Sequence, residues 1–317
     1  MLTFRSYRSS LVAFAGFLGL LTAGTAGAMD AVVPTDFPTI NAAIAGATDL
    51  DLNGTIDILV MDGTYTEDVI LNRSDVVLMG ASAEMTVIQG SGVINTLRFD
   101  GVTNSRVQGF TLLGAPTANV VSILGSTGCT LQQTIVDGGN TGIAVRDSND
   151  NFIVGNEVRN NVNGLKVRTS SGNTVATNSV HDQVKSGIVL RVGDSNLIDQ
   201  NLVTANGGHG IRLREGAGNF VSGNTVTASG GQGIRVRQAT TTTVSGNVSS
   251  TNAKNGLRMR DTSGSLVSMN SFNGNGEYGV RRRGWLDDDF DAATEGIQDP
   301  AGDNDLSGNV LGELLED

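Results

Sequence analysis

Seven copies of one five-residue segment recur along the chain at an almost fixed interval. The first is Gly142-Ile143-Ala144-Val145-Arg146, and GLKVR, GIVLR, GIRLR, GIRVR, GLRMR and GVRRR follow at spacings of 22 and then 23 residues. A period in that range marks a solenoid, in which each repeat is one coil that buries its apolar face only against its neighbours. Residues one period apart then lie above one another at strand spacing, roughly 4.7–4.9 Å. Any residue type that recurs in register becomes a column.

Inside the repeat, Gly-Ile-x-Val-Arg alternates apolar and polar, the period of a strand. Pairs such as Leu165/Val167 and Ile211/Leu213 point inward. The leading glycines, Gly142 to Gly279, suit a bend that needs positive φ or a close backbone approach. Phe152-Ile153, Leu197-Ile198 and Phe220-Val221 begin a second apolar segment, and Val158, Val180, Val203 and Val226 mark a third. Three short strands per coil predict three parallel sheets. Asn156, Asn178, Asn201, Asn224, Asn247 and Asn270 form a column between the second and third strands. Another comprises Asn151, Asn173, Asn196 and Asn219, continued by Thr242 and Ser265. A stacked amide donates to one neighbour while accepting from the other, which satisfies polar groups at buried turns.

These coils resemble the right-handed parallel β-helix repeats of the pectate-lyase-like superfamily, in the form Asn-x-Val-x-x-Asn-x-Val followed by Gly-Ile-x-Val, over most of residues 76–283. The segment Asp36 to Ile44, with Asp62-Gly63-Thr64-Tyr65 and Leu78-Met79-Gly80, is similar to the capping region of that superfamily. The resemblance implies an all-β solenoid of about ten coils with a short N-terminal capping helix on which Ile40, Ile44 and Ala47 share a face. It implies no single activity, because one fold hosts many functions.

The enzyme signatures of that superfamily are largely missing. No Asp-Phe-Ile-Phe-Gly-like segment of pectin methylesterases occurs, Gln132-Gln133-Thr134 being the nearest fragment. Gly208-His209-Gly210 echoes polygalacturonase-like hydrolases, but the coil motif yields it whenever His precedes the bend glycine, so His209 reads as a turn residue. His181-Asp182 is a partial echo of the Asp-Pro-His-Asp segment of mannuronan epimerases. A lyase needs a cation to neutralise a uronate carboxylate and a base to remove the α-proton. Lys166, Arg168, Arg191 and His181 fall within two coils and fit those roles.

The outward positions carry a stronger pattern. One column reads Arg146, Arg168, Arg191, Arg214, Arg237, Arg260 and Arg283, and two residues earlier stand Ala144, Lys166, Val189, Arg212, Arg235, Arg258 and Arg281. Cations at that spacing repel by about 1 kcal/mol even in water, and more near a protein surface. Anions are therefore expected beside them. Three sources offer themselves: the strand-end carboxylates Asp147, Asp194, Glu215 and Asp261; an extended polyanion meeting guanidinium forks; or the protein's own tail. Residues 284–317 hold 11 Asp and Glu and no Lys or Arg, and are expected to fold back over the C-terminal edge and the stripe. The expected function is recognition, with or without modification, of an anionic polysaccharide along the Arg-rich sheet. A non-catalytic structural or adhesive protein and a polysaccharide lyase remain the alternatives.

Asp49-Leu50-Asp51-Leu52-Asn53-Gly54-Thr55-Ile56-Asp57 matches the first nine positions of a calcium loop, with Asp49, Asp51, Asn53 and Asp57 as ligands, although Val60 stands where the loop's closing Glu belongs. Residues 1–28, with Arg5, Arg8, an apolar run from Leu11 to Leu21 and a small-residue end at Ala28, read as a secretory signal. The expected location is secreted or periplasmic, with no membrane span and no nucleic-acid partner. Residues 29–75 read as cap and first coil, 76–283 as repeats and 284–317 as an acidic tail. The single cysteine, Cys129, allows no internal disulfide.

Overall fold

Alternation decides which side of each strand turns inward. In Asn163–Arg168, Leu165 and Val167 are buried while Lys166 is half-buried and Arg168 exposed. The next strands align residue for residue, so Leu165, Ile188, Ile211, Ile234, Leu257 and Val280 stack into one apolar column. The computed structural model describes residues 29–283 and 305–316; the leader and the Asp287-Asp288-Asp289 start of the tail lie outside the described residues.

The chain is a right-handed parallel β-helix of about 11 turns, one more than the sequence predicts. The repeat sheet has 11 strands, from Val69–Leu71 through Tyr278–Arg283 to Gly312–Glu316. A second sheet of 11 runs from Ala31–Val33 to Leu266–Ser268, and a third of 9 from Gly63–Thr66 to Val248–Ser250. The leading glycines from Gly142 to Gly256 serve close approach and not positive φ. A Cβ on Gly210 would stand 2.2 Å from Val226 Cγ1 and 2.8 Å from the Gly233 carbonyl oxygen.

Corners between sheets are made by one left-handed residue followed by a buried polar side chain. Thr177, Gln200, Gly223, Gly246 and Met269, with φ of 54°, 52°, 61°, 64° and 54°, precede the ladder residues Asn178 to Asn270. Asn201 donates both its backbone N–H and its Nδ2 to Asn224 Oδ1 at 2.9 Å. Asn224 repeats the pattern to Asn247 Oδ1 at 3.0 Å and also donates Nδ2 to the Ile198 carbonyl at 2.9 Å. The second asparagine column does the same from Asn151 to Asn219.

A third polar column, absent from the sequence reading, turns the corner after the third sheet: Asn161, Gln183, Asn206, Ser229, Asn252 and Asn275, all buried. It continues into the tail, where Asn309 Oδ1 accepts from Asn275 N–H at 2.9 Å. Ser271 bridges Asp305, and Gly312–Glu316 pairs with Tyr278–Arg283. Residues 305–316 thereby add a final coil across the C-terminal edge, which would otherwise present unpaired strand groups.

The other end is closed by the helix Ile40–Gly46, whose Ile40, Ala43 and Ile44 are buried. Thr39 Oγ1 accepts from Ala42 N–H at 3.1 Å as N-cap. Glu67 accepts the Ile40 and Asn41 N–H groups at 2.9 and 3.1 Å, while Arg73 Nη1 donates to the Ile44 and Ala47 carbonyls at 2.8 and 3.0 Å. Both helix ends thus meet charge of the favourable sign.

Replacing Asn224 with Ala removes a donor and acceptor between two coils and leaves buried partners unpaired. The substitution is expected to destabilise the protein by about 1–3 kcal/mol, measured by denaturant unfolding; an unchanged midpoint contradicts the ladder.

Candidate polyanion-binding face

Register places the predicted cations in two rows on the outer face of the repeat sheet. Arg146, Arg168, Arg191, Arg214, Arg237, Arg260 and Arg283 are consecutive pairing partners. So are Ala144, Lys166, Val189, Arg212, Arg235, Arg258 and Arg281 in the parallel row. The two rows differ in what neutralises them. In the first, Arg146 lies 3.3 Å from Asp147, Arg214 2.9 Å from Glu215, and Arg260 3.4 Å from Asp261. Those carboxylates sit where the chain bends in left-handed conformation just after each arginine, at Asp147, Glu215 and Asp261. Asp194, expected to do the same, instead accepts the Ala217 N–H at 2.7 Å.

The second row has no such partners at Lys166, Arg212, Arg235 or Arg258 among the described ion pairs. All four are half-buried. Burial, followed by Lys185, pushes the Lys166 ammonium pKa down. Burial lowers Arg212, Arg235 and Arg258 as well, with neighbouring arginines adding to it. The Nε atoms of Arg235 and Arg258 are buried without a hydrogen-bond partner, as are those of Arg214, Arg237 and Arg260 in the first row. A cleft of about 210 Å³ opens between Lys166, Arg168, Arg191, Arg212 and Arg214. Further along the same sheet, towards the cap, a larger cavity of about 420 Å³ has the amides Asn95, Asn119 and Asn140 with Arg98 on one part of its wall and apolar side chains such as Ile70 and Ile94 on the rest. The face therefore joins an amide-rich, nearly neutral end to a cationic one.

His209 leans onto this face. Its ring accepts the Gln232 N–H at Nδ1, 3.1 Å away, and Nε2 lies 3.1 Å from Arg235 Nη1. Burial, then Arg235, Arg212, Lys254 and Arg258, push its pKa down to about 4. Sequence reading made it a turn residue; its side chain in fact bridges to the next coil. His181 lies on the third sheet, 2.7 Å from Asp182 and 3.4 Å from Glu157. The quartet Lys166, Arg168, Arg191 and His181 is thus divided between two sheets.

At the N-terminal loop, Asp49 and Asp51 meet Asp30, and the three carboxylates lie within 4.8 Å of one another. Asp30 escaped the sequence reading because it belongs to the first strand's approach, 20 residues away. It accepts the Leu50 and Asp57 N–H groups at 2.6 and 2.8 Å. Asn53 directs its amide nitrogen at Asp51 and Asp57, at 3.1 and 3.0 Å.

The fold recurs in solved proteins of low identity. The A-module of mannuronan C-5 epimerase AlgE4 from Azotobacter vinelandii superposes with a TM-score of 0.61 at 14% identity, covering 88% of this chain and 92% of that one. A variant of the periplasmic alginate epimerase AlgG gives 0.53 at 18%, covering 91% and 81%. The catalytic domain of a GH87 α-1,3-glucanase, in complex with nigerose, gives 0.59 at 11%, covering 90% and 65%. No curated protein matches the chain in sequence. A family profile does, over residues 84–285 and again over 196–310, which takes in nearly all the coils and both cation rows; the chain accordingly belongs to the family described as periplasmic copper-binding protein (NosD).

Proposed function

We propose that this protein works outside the cytoplasm and binds an anionic polysaccharide along the outer face of its repeat sheet. The observation that carries this reading is the second cation row, Lys166, Arg212, Arg235 and Arg258, which no described carboxylate neutralises in an ion pair. Like charges held at strand spacing are unfavourable unless an anion joins them, and a linear polyanion matches a linear row. The cavity towards the cap, with three amides and an apolar wall, suits the hydroxyls and the C–H face of a sugar ring. Proteins of the same fold that act on polysaccharides, the mannuronan epimerase and the glucanase, lend the reading support. The family's periplasmic description agrees with the leader-like residues 1–28. Modification of the bound chain has less behind it, since the base cast for a lyase, His181, faces another sheet.

Copper, which the family's description implies, asks for imidazole, thiolate or thioether donors. His181 and His209 stand on different sheets, and Cys129 is buried with its thiol pKa pushed up by burial. The described group of three or more potential His, Cys, Asp or Glu ligands is Asp30, Asp49 and Asp51, all hard oxygen donors. An imidazole or thiolate copper site does not fit these residues. Oxygen donors suit calcium, and a calcium ion held by Asp30, Asp49 and Asp51 is our proposal for this loop, as a clip between cap helix and first coil.

Substituting Arg212, Arg235 and Arg258 together by Gln is expected to weaken polygalacturonate binding at least tenfold and flatten its salt dependence. The same change raises the melting temperature of the free protein, because repulsion is removed. Equal binding by wild type and triple variant, or no wild-type binding to polygalacturonate, alginate or heparin at low salt, moves the protein to the structural or adhesive class. For calcium, re-addition after EDTA raises the melting temperature, and Asp49→Asn with Asp51→Asn abolishes the rise; superimposable melts refute the clip.

His209 also sets a pH dependence. Its folded pKa lies below the ordinary 6.5, so between the two values only the unfolded chain takes up the proton. The stability this group contributes is complete above about pH 6.5 and is lost as the pH falls towards 4. Between pH 7 and pH 5 wild type is expected to lose about 1 kcal/mol more than His209→Gln, allowing for solvent screening; parallel pH profiles contradict it.

A further inference from the structure

A lone imidazole and a glycine of the coil above it fall side by side. Ser186, His209, Gln232 and Asn255 form one column before the bend glycines, and in the described coils only His209 brings an imidazole to it. In the neighbouring column, Lys185, Gly208, Gly231, Lys254 and Glu277 follow each other by backbone hydrogen bonds. The position above the imidazole is thus Gly231, where the next coil has a lysine. The pairing is steric. A Cβ on Gly231 would lie 2.4 Å from His209 Nδ1 and 3.0 Å from Cε1. The Gly208 carbonyl oxygen would lie 3.1 Å away, so the imidazole is the tighter of the two obstacles to a side chain there.

The ring is caught between two donors. Gln232 N–H meets Nδ1 and Arg235 Nη1 meets Nε2, both at 3.1 Å. A neutral imidazole has one N–H and one lone pair, and a guanidinium only donates. The Gln232 N–H is fixed in the backbone, so Nδ1 accepts and the ring proton sits on Nε2, facing the guanidinium. Donor faces donor at that point. Arg212 and Arg258 add positive field around Arg235. One anionic acceptor beside Nε2–H and Arg235 Nη1 relieves that donor–donor contact.

We infer that His209, Arg235 and Gly231 form a pocket for a single oxyanion, the pendant carboxylate or sulfate group of the chain bound along the cation rows. This rests on the polysaccharide reading of the same face. His209 supplies a directed hydrogen bond, Arg235 the charge, and Gly231 the clearance that lets the ring lie flat against the coil above. The pocket fixes one point of register for a polymer that the rows alone would let slide.

The test follows the ring nitrogens of His209 by NMR in the labelled protein, with His181 as internal reference, while inorganic sulfate or tetragalacturonate is added. The free protein is expected to show the Nε2–H tautomer, and either anion to shift the Nε2 signals. His209→Ala and Gly231→Ala are each expected to weaken tetragalacturonate binding about tenfold, while His209→Gln, which keeps an N–H donor, recovers part of the loss. An Nδ1–H tautomer, or tetragalacturonate bound with His209 signals unmoved, overturns the pocket and leaves the binding face intact. Sulfate shifting His209 while tetragalacturonate, polygalacturonate, alginate and heparin all fail to bind upholds the oxyanion pocket and overturns the polysaccharide reading. Neither anion moving the signals overturns the pocket whatever the variants do.

Discussion

The hydrogen bond from one corner amide to the amide above it holds the rest of this solenoid in place. Each such amide joins a backbone N–H, a neighbouring side chain and a carbonyl of the coil below, as Asn224 does with Asn201, Asn247 and Ile198. Three columns of this kind stand at three corners, so no sheet can slip independently. A slip of one residue would turn Leu213 outward and Arg212 into the core. The amides therefore do more than satisfy buried turns: they keep the cation rows on the surface and in line. Sheet pairing alone, with strands of three to six residues along much of the stack, gives weaker control of register.

That fixed register sets up an electrostatic conflict along the repeat sheet. In the row ending each strand, Arg146, Arg214 and Arg260 are relieved by Asp147, Glu215 and Asp261, which the left-handed bend places beside the guanidinium, while Arg168 and Arg191 stand outside the described ion pairs. The row two residues earlier lies mid-strand, where the described ion pairs include no acid and Glu277 near Arg258 offsets only part of the burial and repulsion there. Its cations are half-buried and their charged forms are disfavoured by burial and by one another. Geometry that disfavours the free protein favours a bound anion by the same interactions reversed. The same field opposes a metal cation on this face, and the oxygen-rich loop at Asp30, Asp49 and Asp51 stands at the opposite end of the molecule, beside the cap.

Much of this was legible because a solenoid turns sequence period directly into spatial neighbourhood. Once Gly142 to Gly279 set the period, the strands, two asparagine columns and both cation rows followed by counting. What counting missed had a physical reason in each case. The third polar column mixes Asn, Gln and Ser, which share a hydrogen-bonding role and not a letter. The final coil is separated from the repeats by the 21 residues 284–304, so the period does not reach Asn309, which nonetheless caps the third column. Asp30 joins Asp49 and Asp51 through strand pairing of Ala31 with Ile58, a contact no local motif encodes. The expected ten coils became about 11 for a similar reason, since the terminal turns depart from the repeat.

His209 shows the limit most clearly, and also how to pass it. A single histidine in a repeat looks like ordinary variation at a turn, and its position alone supports nothing more. Its meaning appears when the residue one coil above and one position earlier is read with it. Gly231, one of two successive glycines in its column, leaves room for the ring, and Arg235 is the cation that the ring then touches. In a β-helix a functional departure from the repeat must be accommodated by the coils it leans on, because side chains are packed at strand spacing. A residue read together with the neighbours it leans on in the adjacent coil is therefore a sharper guide to a site than any single unusual residue, and on this face His209 with Gly231 and Arg235 is such a group.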